Sequence, residues 1–405
     1  MRVLLVHSRY QIRGGEDETL DAEAQLLRDA GIEVGTFTDD NRRVAELSRL
    51  RAAAGTIWSQ EAYTALRKRI RKGRYDVVHV HNLLPLISPS AYHAAHAEGA
   101  AVVQTLHNYR LMCANGLFYR DSHVCEDCLG RTVPWPAVAH ACYRGSRAAS
   151  AAVAGMLLTH RMLGTYRTKV DVYIALNEFM RQKHIAGGIP AERIAIKPNF
   201  IPRDPGIGDG SGGYALFVAR LTEEKGVDVL LAAWERLGGR IPLRIMGDGP
   251  MSDVVARAAE RLPGVTYLGR QPIDEVYRSL GEASFFIFTS TWYEGFPRTI
   301  IESCARGVPV VASAIGPIAE VVVNGETGLH FRTGDAADLV DKVTWLAEHP
   351  ETLRSMRTGA RREFETKFTA EANREQIVRL YERAIAERRA RPGRRALAPA
   401  RTRSG

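Results

Sequence analysis

Short apolar runs rich in Val, Ile and Leu alternate with helix-length segments along nearly the whole chain. In the first half these runs occupy residues 2–8, 33–38, 76–82, 101–108, 170–177 and 193–199. Continuous apolar strands separated by helices are typical of a parallel sheet whose two faces are both covered. The first half of the chain therefore predicts a Rossmann-like, doubly wound α/β domain.

The same alternation restarts after a glycine-rich segment. Five of the eight residues from Gly206 to Gly213 are Gly, and we predict a flexible linker over 199–213. The later apolar runs occupy residues 214–220, 242–249, 265–269, 283–290, 308–314 and 328–331, and helical patterns follow at about 336–348, 351–366 and 370–390. Two such arrays predict two Rossmann-like domains that face a cleft and close about the linker.

The expected division of the chain has four parts. One domain is predicted over 1–203, a second domain over 204–368, a helix over 369–390 that packs back on the first domain, and a disordered basic tail over 391–405. The chain carries a net charge of +9, of which residues 383–405 supply +7 through eight Arg and one Glu. Because the rest carries only +2, we expect no specific nucleic-acid partner.

The sequence favours a cytoplasmic location. No run reaches the ~18 apolar residues of a membrane span, and the best candidate, 148–158, is short and rich in Ala. The opening MRVLLVHSRY has no long apolar region or cleavage site of a signal peptide. Five Cys in 405 residues do not suggest a disulfide framework.

The strongest chemical signal is the segment TSTWYEGFPRTIIESCARGVPVVAS, which follows an apolar run. Pro297 stands where a helix is expected to begin, so the amides of Arg298, Thr299 and Ile300 would be unpaired donors. Such a helix start binds anions and suits a diphosphate. Gly295 just before it would let a substrate approach the backbone closely.

Two carboxylates flank this helix start. Glu294 precedes the helix and Glu302 lies within it, eight residues later, so both can face one ligand. A diphosphate repels carboxylates, so these residues are expected to contact sugar and ribose hydroxyls. The alternative is a pair of solvated surface carboxylates.

The stretch from Glu294-Gly-Phe-Pro to Glu302 resembles the E-x7-E signature of the family 4 retaining glycosyltransferases, which have the GT-B architecture. Further marks of this family are Gly14-Gly15-Glu16, FVARLTEEKG (217–226), IMGDGP (245–250), RGVPVVAS (306–313) and GETGLHF (325–331). The resemblance covers nearly the whole chain. It implies metal-independent transfer of a sugar from a nucleoside diphosphate sugar to a hydroxyl, in cell-surface polysaccharide or glycolipid assembly. It also implies that the domain over 1–203 lies on the acceptor side and that the domain over 204–368 binds the donor nucleotide.

The resemblance also implies roles for individual residues. Arg220 and Lys225 are expected to bind the donor diphosphate, and the backbone at Gly14 and Gly15 to admit the phosphates or the acceptor. Two cations can stabilise the leaving nucleoside diphosphate without a metal. The alternative for Arg220 is a surface salt bridge with Glu223 or Glu224.

By the same resemblance Glu302 holds the ribose, Glu294 the donor sugar near its reacting carbon, and His107 the donor sugar or acceptor. A hydrogen-bonded histidine at a strand end is the alternative for His107. The expected catalytic residues are thus Glu294, His107, Arg220 and Lys225, and the expected donor-binding residues are Gly14, Gly15, Arg220, Lys225, Gly295, Phe296, Arg298, Thr299, Ile300 and Glu302.

Two further histidines, His79 and His81, alternate with valines on one strand and so face the same side of the sheet. A metal pair is conceivable there, but packing or cleft lining fits the pattern better. We do not assign them as ligands.

Four cysteines crowd into an insertion at about 109–145. Cys113, Cys125, Cys128 and Cys142 form the pattern C-x11-C-x2-C-x13-C. The C-x2-C turn favours structural zinc in a reducing compartment. Two disulfides, an iron–sulfur cluster and unlinked thiols remain alternatives, and Cys304 is expected to lie in the core.

A basic cluster, RKRIRKGR, spans Arg67 to Arg74. It predicts either a solvated cationic surface or docking on an anionic membrane, which would suit a lipid-linked acceptor and a peripheral location on the inner face of the cell membrane. The basic tail could assist this docking.

Three other functions compete with sugar transfer. A nucleotide-sugar epimerase or a sugar phosphorylase would keep the fold and donor site, and a membrane- or nucleic-acid-binding scaffold would keep the fold alone. The first strand is followed by no G-x-G-x-x-G, which argues against a nicotinamide-dependent dehydrogenase.

Overall fold

The first half of the chain forms a six-stranded parallel sheet. The computed structural model describes residues 1–11 and 14–390. The sheet order is β2-β1-β3-β4-β7-β8, while β5 and β6 pair with each other as a small antiparallel hairpin. These strands are β1 (Arg2–Arg9), β2 (Glu33–Asp40), β3 (Val77–Asn82), β4 (Ala101–Leu106), β5 (Tyr119–Arg120), β6 (His123–Val124), β7 (Val172–Ala175) and β8 (Ile194–Ile196).

The second half repeats this arrangement. Its parallel sheet has the order β11-β10-β9-β12-β13-β14. Its strands are β9 (Ala215–Val218), β10 (Leu243–Met246), β11 (Val265–Tyr267), β12 (Phe285–Phe288), β13 (Val310–Ser313) and β14 (Gly328–Phe331). All twelve apolar runs identified in the sequence thus contain a strand, and the two Rossmann-like domains are confirmed.

Helices connect the strands and cover the sheets. They are α1 (Gly15–Asp29), α2 (Arg49–Ile57), α3 (Gln60–Gly73), α4 (Ser90–Glu98), α5 (Trp135–Ala139), α6 (Arg147–Met162), α7 (Thr165–Thr168), α8 (Glu178–Ala186), α9 (Val227–Leu237), α10 (Ser252–Arg261), α11 (Ile273–Glu282), α12 (Arg298–Ala305), α13 (Gly316–Val321), α14 (Ala336–Glu348), α15 (Pro350–Lys367) and α16 (Ala370–Ala390).

The continuous apolar character of β1 follows from burial of both sheet faces. Leu4 and Val6 belong to the core on one face, and Val3 and Leu5 belong to the core on the other. Successive side chains of a strand point to opposite faces, so a strand covered on both sides needs an apolar residue at every position.

Helix α16 returns to the first domain. Ile377, Tyr381 and Ala384 are buried in the same core as Val3 and Leu5. Polar contacts join it there as well, since the Tyr381 hydroxyl lies 2.8 Å from Nδ1 of His79. The chain therefore crosses twice between the domains.

The two crossings lie side by side. The Ile201 amide donates a 2.9 Å hydrogen bond to the Phe368 carbonyl, and Ile201 pairs with Thr369 in an isolated parallel bridge. Relative motion of the domains must bend both segments together, because they are bonded to one another.

The prediction of a flexible linker is wrong for residues 206–213. The amides of Gly208, Gly210 and Gly212 each donate a 2.9 Å hydrogen bond to a carbonyl oxygen of the second domain. A Cβ on Gly208 would lie 2.2 Å from the Cα of Gly281. Glycine is needed here for close packing of two backbones rather than for flexibility.

The expected basic tail at 391–405 lies outside the described residues. None of the described helices is both long and apolar enough to traverse a lipid bilayer.

Candidate active site

The start of α12 lies at the carboxyl end of β12, where α/β sheets bind ligands. The helix begins at Arg298, directly after Pro297. The amides of Arg298 and Thr299 have no acceptor among the described residues. The prediction that the Ile300 amide is also unpaired is wrong, because it donates a 3.0 Å bond to the Pro297 carbonyl while the Ile300 side chain enters the core. Two amide donors therefore face outward from this helix start.

The carboxylate of Glu294 is held in place by three donors on one oxygen. Oε1 lies 2.6 Å from Nζ of Lys225, and it accepts bonds from Oγ of Ser290 at 2.7 Å and Nε1 of Trp292 at 3.0 Å. Within the described part of the chain, nothing donates to Oε2. The Glu294 side chain is thus buried and rigid, with one oxygen left for a ligand.

The sequence reasoning missed Ser290 and Trp292, although both lie in the segment it selected. A hydroxyl and an indole N–H within four residues of a loop carboxylate were the available signal.

The two predicted cations differ in environment. Arg220 follows β9, is exposed, and has no ion pair with any described residue. The alternative salt bridge with Glu223 or Glu224 is therefore not formed. Lys225 is instead paired with Glu294, and its Nζ lies 5.6 Å from the ring centre of Trp292. Arg220 is free to meet an anion, whereas Lys225 must share its charge with a carboxylate.

Gly295 serves a different purpose from the one predicted. A Cβ at this position would lie 2.2 Å from the carbonyl oxygen of His107, in the other domain. Nδ2 of Asn177 also donates a 3.0 Å bond to the Gly295 carbonyl. Gly295 therefore permits close contact between the domains, and the expected approach of a substrate to this backbone is replaced by the approach of His107.

Other contacts bridge the domains on either side of this point. Nη1 of Arg298 lies 2.8 Å from Oε2 of Glu18 in α1. The carboxylate of Glu320 accepts bonds of 2.7 and 2.9 Å from the first two amides of α8, those of Glu178 and Phe179. The cleft is closed along this line.

Glu302 lies under the helix start, 5% exposed. Burial raises the pKa of Glu302, and Arg298 partly opposes that effect with Nη2 at 3.5 Å from Oε1. On the opposite side of Arg298, a Cβ at Gly15 would lie 4.0 Å from its Cδ, and one at Gly14 would meet nothing within 4 Å. The structure thus brings Gly14, Gly15, Arg298 and Glu302 together.

Phe296 packs where the two domains meet. It contacts the apolar cores of both, and its ring centre lies 6.2 Å from that of Phe368. The Phe296 side chain is thus partly buried between the two domains. Its contact with the donor stays a prediction.

His107 is the first residue after β4 and is 9% exposed. Its Nε2 lies 2.9 Å from Nδ1 of His81, and burial lowers the pKa of His107 well below its usual value. His107 is therefore neutral near pH 7. It lines a cavity of about 40 Å³ together with Gln104, Asn108 and Arg110.

Behind His107, His79 and His81 take part in a buried polar network. Nδ1 of His79 lies 2.8 Å from the Tyr381 hydroxyl, and its Nε2 lies 2.8 Å from Oγ1 of Thr105. Glu23 approaches both imidazoles, and its other oxygen lies 3.3 Å from Nζ of Lys197. Ligand atoms of Glu23, His79 and His81 lie within 4.8 Å of one another. The buried lysine already balances this carboxylate, which agrees with a packing role.

The four cysteines of the insertion line one cavity, although they are separated in sequence. All are free thiols, so the disulfide alternative is not realised. Burial raises the pKa of Cys128 to about 11. Their sulfurs are not among the ligand atoms that the described residues bring within 4.8 Å of one another. Cys304, as expected, is buried in the core beneath α12.

The basic cluster lies on α3 and the turn that follows it. Leu66 and Ile70 anchor this helix in the core. Arg67 and Arg71 both bind Glu98, at 2.7 and 2.8 Å. The other basic side chains of the cluster, Lys68, Arg69, Lys72 and Arg74, are exposed.

Two family models match the chain, one over each domain. Residues 13–204 match "Glycosyltransferase Family 4", and residues 207–363 match "Glycosyl transferases group 1". An uncharacterized glycosyltransferase of Methanocaldococcus jannaschii is 28% identical over 43% of this chain and 49% of its own length. The amylovoran biosynthesis glycosyltransferase AmsK of Erwinia amylovora is 28% identical over 53% of this chain and 56% of its own. The matched region thus spans about half the length of these curated relatives.

A solved structure shows the same fold over most of the chain. HepE from Anabaena, crystallised in complex with UDP, superposes with a TM-score of 0.67 at 16% identity. The match covers 94% of this chain and 100% of that one.

Proposed function

Because this chain belongs to the glycosyltransferases of the GT-B fold, we propose that it transfers a sugar from a nucleoside diphosphate sugar to a hydroxyl group. The observation that carries the proposal is the arrangement around α12. An exposed arginine, two unpaired amides and a buried carboxylate that is fixed on one oxygen all belong to one rim of the interdomain cleft. The complex of HepE with UDP supports a nucleotide donor.

The donor diphosphate would be held by positive charge supplied by the protein. No carboxylate of the described residues pairs with Arg220, and the amides of Arg298 and Thr299 add the positive end of a helix. When the bond to the sugar breaks, charge develops on the diphosphate, and these donors stabilise it. One preorganised donor of this kind is worth roughly 10²–10³ in rate. Catalysis in this proposal is therefore metal-independent.

Glu294 would hold the sugar. Its Oε1 is occupied by three donors, so Oε2 accepts from a sugar hydroxyl without movement of the side chain. Lys225, bound to the same carboxylate, would supply a cation to the sugar and the diphosphate. Glu302, buried behind Arg298, is the candidate for the ribose hydroxyls.

Retention of the anomeric configuration is taken from the family resemblance. His107 is neutral and nearly buried, so it contributes a hydrogen bond rather than a charge at the face opposite the diphosphate. The leaving phosphate oxygen would take the proton of the acceptor hydroxyl. Contacts between the domains such as Arg298 with Glu18 would limit the entry of water once the donor is bound, and so limit its hydrolysis.

We place the acceptor in cell-surface polysaccharide or glycolipid assembly. AmsK, one of the relatives, is named for amylovoran biosynthesis. The exposed basic side chains of α3 would bring the first domain to an anionic membrane surface, at about 1 kcal/mol for each basic residue near the headgroups. Binding to anionic vesicles at low salt, but not to neutral vesicles, is the expected result. Equal binding to both would remove the membrane from the proposal.

The test of the reaction is a screen of sugar nucleotides with UDP, GDP, ADP or TDP, each with and without hydroxyl acceptors. We expect one donor to yield a new glycoside whose anomeric configuration, read by NMR, matches that of the donor. Isomerisation of a donor without acceptor would identify an epimerase, and a need for inorganic phosphate would identify a phosphorylase. Binding of every donor without any turnover would leave a scaffold.

A further inference from the structure

The insertion that follows β4 contains little regular secondary structure. Between Tyr109 and Ser146 the regular elements are a hairpin of two-residue strands and the five-residue helix α5. Its buried side chains, among them Met112, Ala114 and Phe118, pack into the core of the first domain, so a metal staple would order the turns between them. Four of the five cysteines are in this segment, and the fifth, Cys304, is in α12.

The backbone of the insertion is constrained. Seven residues other than glycine have a positive φ in the described ranges, and five of them fall between residues 118 and 144. Phe118, Asp121 and Ser122 lie around the hairpin, and Ala141 and Arg144 flank the last cysteine, with φ between 50° and 61°. Such conformations persist only where the surroundings impose them.

The four thiols converge from separate turns. Cys113 and Cys128 are 8% and 7% exposed, and Cys125 and Cys142 are partly buried on the same cavity. Turn hydrogen bonds place them, because the Cys125 amide donates to the Phe118 carbonyl at 2.8 Å and the Cys142 amide to the Ala137 carbonyl at 3.0 Å. The cavity measures about 10 Å³, a volume that a single ion would fill.

A cation on four thiolates would also supply an acceptor for one buried donor. Arg120 lines the cavity, and its Nη1 is buried with no hydrogen-bond acceptor among the residues that the structure describes. Asp121 and Asp127 occupy its other nitrogens, at 3.1 and 3.2 Å. Four thiolates around one divalent ion carry two net negative charges, which gives Nη1 an acceptor sulfur and offsets the guanidinium.

We propose that Cys113, Cys125, Cys128 and Cys142 bind one zinc ion in a tetrahedral tetrathiolate site that staples this insertion. On binding, each thiol gives its proton to solvent, and the sulfurs close in from the wider spacing of the free thiols. No redox change takes place. Zinc suits this donor set because it prefers four sulfur ligands in a closed structural site.

The staple would position a part of the insertion that reaches the other domain. Ser122 Oγ donates to Glu223 of the second domain, two residues before Lys225. Within the first domain, Glu126 pairs with Lys183 of α8 at 2.5 Å. Zinc would therefore hold the β5–β6 hairpin against the loop that carries Lys225. This consequence for the donor side rests on the proposed function, whereas metal binding does not.

The first test is the metal content of the full-length protein. We expect about one zinc ion per chain by elemental analysis, with the four thiols unreactive until a chelator or denaturant is added. The Cys128→Ala variant should retain less than about a tenth of the zinc, and Cys304→Ala, which removes a buried thiol elsewhere, should retain all of it. Stoichiometric iron with visible absorption, two disulfides, or four reactive thiols without metal would each overturn the proposal.

A second measurement does not depend on the variants. Removing the metal from the native chain should raise hydrogen exchange in residues 113–142 and at 222–226, and zinc should restore protection. Replacement by Co²⁺ should produce the strong sulfur-to-cobalt absorption of a tetrathiolate site. Unchanged exchange after complete metal removal would show that no staple exists. Zinc binding together with failure of every sugar donor would refute the proposed function and leave the zinc site intact.

Discussion

Substitution of Gly295 by alanine tests whether the contact between the domains is needed for turnover. The added Cβ would lie 2.2 Å from the His107 carbonyl oxygen, and real Cβ contacts essentially never fall below 3.0 Å. Both groups that meet there are backbone, so no side chain can rotate away. Gly295 does not have a positive φ, so alanine adds no backbone strain of its own.

The domains must therefore separate at this point by most of an ångström. Misplacement by about 1 Å typically costs around 10²-fold in rate, so we expect kcat of the Gly295→Ala variant to fall by about that factor. Affinity for the nucleoside diphosphate should change by less than about threefold, since Arg220 and the α12 amides lie within one domain.

The assay is steady-state turnover of the sugar donor together with calorimetry of the nucleoside diphosphate. The matched control is Gly55→Ala, because a Cβ at Gly55 in α2 meets nothing within 4 Å. This control should keep normal turnover and gain about 0.5–1 kcal/mol of stability. Normal turnover by the Gly295→Ala variant would refute the reasoning, as it would show that the closed contact has no part in catalysis.

Three further predictions concern buried titratable groups. Glu302→Ala should weaken nucleoside diphosphate binding by roughly 10–100-fold but leave inorganic pyrophosphate binding unchanged, and equal loss of both ligands in calorimetry would contradict the ribose assignment. Lys197→Met removes the ammonium that faces the buried Glu23 and should lower the free energy of unfolding in urea by about 3–5 kcal/mol, with partial recovery on adding Glu23→Gln. Burial lowers the pKa of His81 and of His184 to about 4, so the unfolded state binds more protons as the pH falls below ~6.5. Each histidine should then cost about 2 kcal/mol of stability between pH 7 and pH 5, and a urea midpoint that does not fall over this range would be inconsistent with neutral buried imidazoles.

The layout of both domains could be predicted from the sequence because its cause is local. A strand buried on both faces, such as β1, must be apolar at every position, and that pattern is visible without knowledge of its neighbours. The helix start was predictable to within one residue, because Pro297 lacks an N–H and suits the beginning of a helix; in the structure Pro297 caps α12, which begins at Arg298.

What could not be predicted depends on residues distant in sequence. Gly295 is needed because the His107 backbone approaches it, and Gly208 because the Gly281 backbone approaches it. The sequence alone does not show these neighbours, and it therefore predicts flexibility at 208 and approach of a substrate at 295. Similarly, Lys225 was assigned to the diphosphate, and only the fold shows that Glu294 already lies 2.6 Å away. Residue type reveals what a side chain can do, whereas its partner is set by the packing of the two domains.

The most direct test of the proposed diphosphate site is calorimetric titration of the protein with UDP, GDP, ADP and TDP, repeated on the Arg220→Ala variant. We expect at least one of the four to bind, and the variant to lose about tenfold or more in affinity while keeping its thermal unfolding temperature, because Arg220 is exposed and makes no ion pair with a described residue. Binding of none of them, or binding that is indifferent to the loss of Arg220, would contradict a diphosphate held at the start of α12.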